Sequence, residues 1–168
     1  MPARANRCAR LEGRFANRPY IHPVQTIIQR FQREELMIGA LVVTHGHLGR
    51  ELVAAAEMIV GNISRIQAVS IGWHDDVNDA RKDIEKRIGE MDAGAGVLIL
   101  TDMFGGTPSN IAFSFHEPGR IDIVTGVNLP MIIKIVSQKE GETLDNLARV
   151  VREQGRASIA LAGDFLNV

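Results

Sequence analysis

The stretch Ile38-Gly39-Ala40-Leu41-Val42-Val43-Thr44-His45-Gly46-His47 decides the fold. Ile38 to Val43 is apolar or small throughout, with no polar alternation. That pattern reads as a strand buried on both faces, as in a parallel sheet covered by helices on each side. Leu48 to Val60 then takes a helical period, with Leu48, Leu52, Ala55, Ala56 and Ile59 expected inward and Gly61 ending the helix. His45 thus falls where a buried strand gives way to a helix.

The same alternation repeats along the chain. Ile66 to Ile71 is a second, weaker strand. Asp75 or Asp76 suits the cap of a helix whose apolar face is Val77, Ala80, Ile84, Ile88 and Met91, because a carboxylate there accepts from amides without intrahelical partners. Gly94 to Gly96 break that helix before a third strand, Val97 to Leu100. Thr107 to Phe115 reads as a helix with Thr107 as N-cap and Pro108 at its first position. Ile121 to Val124 is a fourth strand. Asn128-Leu129-Pro130 opens a helix with Met131, Ile132, Ile135 and Val136 apolar. Thr143 to Gln154 is a last clear helix, capped by Thr143, with Leu144, Leu147, Val150 and Val151 inward. Ala157 to Val168 reads either as more helix or, through Ser158 to Ala162, as a short strand. The order predicts an α/β fold, doubly wound: a mostly parallel central sheet with helices on both faces.

Composition narrows the class. A chain of 168 residues, 45% hydrophobic and 23% charged, is one globular domain with room for an appendage. No apolar run reaches the roughly eighteen residues of a membrane span. The single cysteine, Cys8, forms no internal disulfide and no thiolate zinc cage, which fits a reducing cytoplasm. A net charge of -1 gives no footprint for nucleic acid. Residues 1–36 are an exception within the chain, carrying seven arginines against three glutamates. They show no sustained period, apart from Val24, Ile27, Ile28 and Phe31 at amphipathic-helix spacing. They read as a basic, disordered or dispensable extension, upstream of an alternative start at Met37, or as an arm for a partner or anionic lipid. Residues 37–168 form the domain proper.

Three segments carry chemistry. His45 ends the first strand, and an imidazole there can act as base, ligand or phosphoryl acceptor. Asp102 ends the third strand; a carboxylate taken from water needs a partner, and an imidazole N–H across the crevice supplies one. Gly105-Gly106-Thr107-Pro108 leads into a helix start, where amides and the helix dipole attract phosphate. In an open parallel sheet these segments meet beyond the carboxyl ends of the strands. Trp73-His74 and Gly126-Val127-Asn128 reach the same edge, and Trp73 there reads as either packing or a rim contact for a partner.

Val42-Val43-Thr44-His45-Gly46, Glu51 to Gly61 with its Ala55-Ala56-Glu57-Met58, Leu100 to Asn110, and Thr125 to Met131 together resemble one family. It is the enzyme IIA component of the mannose-type (mannose/fructose/sorbose) bacterial phosphotransferase system. The resemblance implies that His45 carries a phosphoryl group on Nε2, that Asp102 holds Nδ1, and that Gly105, Gly106 and Thr107 form the phosphate cradle. Thr107 stands where the family often has serine. Phe104 stands where some members have tryptophan, on a partner surface shared with Trp73 and Asn128. The donor would be the phosphocarrier HPr and the acceptor a IIB component. The carrier would be cytoplasmic, without cofactor or metal, peripherally associated with a membrane permease. Members form homodimers that exchange a C-terminal strand, for which this tail has no clear counterpart.

Other readings stand beside it. His45-x-His47 with His74, Asp102 and His116 offers ligands for a metal-dependent hydrolase, although such barrels need about 250 residues. A receiver domain would take phosphate on Asp102, but the acidic pair expected after the first strand is replaced by Thr44-His45. A dihydroxyacetone kinase phosphocarrier subunit, or a regulatory phosphocarrier without a transporter, would keep the fold and change the pathway.

Overall fold

A computed structural model describes residues 37–166; the expectations for residues 1–36 lie outside the described residues. The elements are β1 (Gly39–His45), α1 (Leu48–Val60), β2 (Ile66–Ile71), α2 (Val77–Met91), β3 (Val97–Thr101), α3 (Thr107–Phe113), β4 (Ile121–Thr125), α4 (Leu129–Val136), α5 (Leu144–Ala157) and a short α6 (Gly163–Leu166). All four strands are parallel, in the order β2-β1-β3-β4. The chain therefore leaves β1 toward one edge and returns past it to β3 on the other side, which opens a crevice between the carboxyl ends of β1 and β3.

Side chains alternate along each strand, and this divides the core in two. Ala40, Val42, Leu98 and Leu100 pack beneath α1, α4 and α5, where Ala56, Met131, Ile132, Ile135, Leu147 and Val151 meet them. Leu41, Val43, Val97 and Ile99 pack on the other face against Ile84, Ile88 and Met91 of α2 and Ile111 and Ala112 of α3. Each fully buried Leu, Ile or Val is worth about 1.5–3 kcal/mol in transfer free energy, so burial anchors β1 and β3 firmly. At the amino end of β1, Gln138 accepts from the Ile38 N–H and donates to the Ile38 carbonyl, which anchors the strand's entry.

Several local expectations change. β1 runs through Thr44 to His45, since Thr44 and His45 still pair with Ser70 and Ile71 of β2. α1 is rolled so that Gly49, Leu52, Val53 and Ala56 face the sheet, leaving Leu48 and Ile59 exposed. Val77, expected inward, is exposed in the first turn of α2. Asp76, not Asp75, caps that helix by accepting from the Asn78 and Asp79 amides. Gly106 is the N-cap of α3 and Thr107 its first residue, one position earlier than the sequence implied, and α3 ends at Phe113. α5 continues to Ala157, beyond which the described tail contains no strand; Ile159 and Leu161 are exposed and α6 follows.

Candidate functional site

β1 and β3 deliver His45 and Asp102 to the crevice as the sequence predicts. The Asp102 Oδ2 atom accepts two hydrogen bonds from one residue, the His45 backbone N–H at 2.9 Å and the His45 ring Nδ1 at 2.8 Å. Its Oδ1 accepts the Met103 N–H at 2.9 Å. Burial is the largest influence on this carboxyl and raises its pKa. The His45 backbone and ring bonds, followed by that of Met103, outweigh burial and hold it below the ordinary carboxylate value. An ionised Asp102 is an acceptor only, so a neutral His45 ring carries its proton on Nδ1, which leaves the Nε2 lone pair free. The Asp102 side chain is 12% exposed and that of His45 46% exposed, so the acid is sheltered while the ring meets solvent.

The start of α3 lies against the same ring. A Cβ placed on Gly106 would stand 2.7 Å from His45 Cε1, closer than a side chain permits, and in ordinary contact with Nε2 at 3.4 Å. Glycine is required there by this approach, which brings the N-cap of α3 to the Nε2 edge of the imidazole. Gly105 and Thr107, on either side, are exposed. The Ser109 hydroxyl, wholly buried, donates to the Gly106 carbonyl at 2.9 Å and fixes the turn. The first amides of a helix have no intrahelical acceptors, and Gly106 has no side chain to cap them. The chemical capacity of this arrangement is a nucleophilic ring nitrogen facing an anion-ready helix start.

Phe104 and Trp73 are largely exposed, Met103 half so, and Phe104 stacks at a tilt on Phe113 with ring centroids 5.8 Å apart. Asn128 has a different setting from the rim position predicted for it. Its side chain caps α4 by accepting the Met131 N–H and donates to the Gly155 carbonyl of α5, so it is half-buried and internally bonded. His47 is exposed at the start of α1 without capping it. His116 instead approaches Asp122 of β4 at 3.9 Å. Among the described residues no group of three or more His, Cys, Asp or Glu is arranged to hold a metal ion. Sequence reasoning passed over Thr44, Met103 and Ser109. Met103 acts through its backbone, which no side-chain pattern reveals.

The structure is thus a parallel α/β domain with an acid-oriented histidine at its topological switch point. The family model described as "PTS system fructose IIA component" matches residues 39–151. The chain belongs to this mannose-type IIA family of the phosphotransferase system. It is 28% identical over 132 residues to the "PTS system fructose-specific EIIA component" of Bacillus subtilis strain 168, covering 78% of this chain and 90% of that one. It is 29% identical over 131 residues to the "PTS system mannose-specific EIIAB component" of Escherichia coli K12, covering 74% of this chain but 39% of that longer protein. Among solved structures, the PTS IIA protein associated with the fucose utilization operon of Streptococcus pneumoniae superimposes with a TM-score of 0.70. That match has 26% identity over 79% of this chain and 98% of that one. Among the described residues no helix is long and apolar enough to cross a membrane.

Proposed function

We propose that the protein is a cytoplasmic phosphoryl carrier that takes phosphate from HPr onto His45 Nε2 and passes it to a IIB component. The observation that carries this reading is the ring held between Asp102 and Gly106. In the forward step the Nε2 lone pair attacks the phosphorus of the donor's phosphohistidine in line. The new N–P bond forms as the donor's N–P bond breaks, and the donor imidazole leaves with its electron pair. The Nδ1 proton stays in its bond to Asp102, whose charge stabilises the imidazolium character that develops on His45. Amides at Gly105, Gly106 and Thr107 receive the equatorial phosphoryl oxygens. Both N–P bonds are of one kind, so positioning rather than covalent activation governs the rate. The step draws on no cofactor or metal.

The exposed His45 and the apolar Phe104 and Trp73 favour a protein partner over a small enclosed substrate. The relative named EIIAB supports IIB as the acceptor. A receiver-type role for Asp102 is disfavoured because both of its oxygens already accept hydrogen bonds. Residues 37–168 form the carrier domain and residues 1–36 a dispensable extension. A homodimer is favoured by β4, whose outer edge pairs with no further strand among the described residues and carries only the Glu117–Ile121 bridge at its start, and by the exposed Ile159 and Leu161. The acceptor IIB brings the carrier to the membrane permease peripherally.

The test is incubation with phosphorylated HPr carrying labelled phosphate. Wild type takes up label that is acid-labile and alkali-stable, and His45→Ala takes up none while retaining its fold. Label on the His45→Ala protein at normal yield overturns the assignment.

A further inference from the structure

We infer that Thr44 is a positioning residue for phosphoryl transfer, acting through the turn that presents His45. Thr44 is wholly buried, although it lies beside the exposed residues 45–48. Strand alternation sends its side chain to the α1 face of the sheet and that of His45 to the α3 face. There Thr44 Oγ1 accepts the Gly49 N–H at 2.7 Å. This bond bridges the turn from below and does the work of a helix cap, since His47, the formal N-cap of α1, makes no side-chain capping bond.

Gly49 is matched to this role. A Cβ on it would meet Thr44 Oγ1 at 3.0 Å, the Val42 carbonyl at 3.1 Å and Val42 Cγ1 at 3.2 Å, so the start of α1 rests directly on β1. Three bonds then fix the His45 segment from three sides. Asp102 takes the His45 N–H from the β3 side, the Ile71 carbonyl takes the Gly46 N–H at 2.9 Å from the β2 side, and Thr44 holds the α1 side. Loss of the third leaves the ring paired with Asp102 on a backbone that can shift. Small misplacements of that kind slow transfer without weakening partner docking.

The inference rests on His45 being the acceptor, and its test separates the two. Thr44→Val keeps the strand-compatible shape and removes the hydroxyl; Thr44→Ser keeps the hydroxyl. In single-turnover transfer from labelled phospho-HPr, Thr44→Val is expected to be about tenfold slower, with the half-saturating donor concentration within about twofold of wild type; Thr44→Ser recovers the rate. Amide exchange at Gly49 is slow in wild type and Thr44→Ser and fast in Thr44→Val, and the His45 ring nitrogen resonances move in Thr44→Val alone. A wild-type rate for Thr44→Val, a Thr44→Ser protein as slow as Thr44→Val, or fast Gly49 exchange in wild type overturns the inference. A wild type that takes no phosphate overturns the carrier reading instead, while the exchange and ring-nitrogen measurements still decide on Thr44.

Discussion

Asp102 does two things at once, since it orients the His45 ring and extends the sheet's hydrogen bonding by one residue through the His45 N–H. Asp102→Asn keeps the shape but offers an amide where the ring needs an anion, so control of the tautomer is lost. We expect transfer from phospho-HPr to slow at least about 100-fold, read in a single-turnover assay, with the fold retained. A second outcome follows from the charge. The folded pKa of Asp102 lies below its ordinary value, so its contribution to stability is fully present above about pH 4 and is lost as pH falls through the depressed value. Urea unfolding of wild type and Asp102→Asn at stepped pH should show a stability gap near neutrality that closes in acid.

At the scale of elements, Asn128 joins the β4–α4 turn to the last turn of α5. Asn128→Ala removes a cap and an interhelical bond and is expected to cost about 1–2 kcal/mol in urea unfolding. Its transfer rate should fall far less than that of Asp102→Asn. The periodic apolar runs made β1, β2, β3 and most of the helices legible in advance, because burial on both sheet faces leaves little freedom in residue type. His45 and Asp102 were legible for the same reason, as polar residues placed where buried runs end. Helix roll and caps were less so. Leu48 and Ile59 carry the right spacing to face inward, yet the close seat of Gly49 on Val42 and Thr44 turns α1 away from them. Thr107 looks like a cap, but the approach of the His45 ring places Gly106 in that position. The tail has too few constraints in its composition to choose between strand and helix.

For the whole molecule, the family match at residues 39–151 and every site residue fall within the described region. Removal of residues 1–36 is therefore expected to leave the initial transfer rate within about twofold of the full chain, measured side by side at several donor concentrations. A raised half-saturating concentration would instead reveal a basic arm that engages the partner. The single Asp102 oxygen that grips both the main chain and the imidazole of His45 also has a bearing on traffic through the carrier. A ring tied at two points of its own residue cannot swing from a loading stance to an unloading one. On the proposed carrier function, giver and receiver then come down the same line and take turns, so that one visitor's seat is emptied before the next arrives, and the steady-state plots should run parallel.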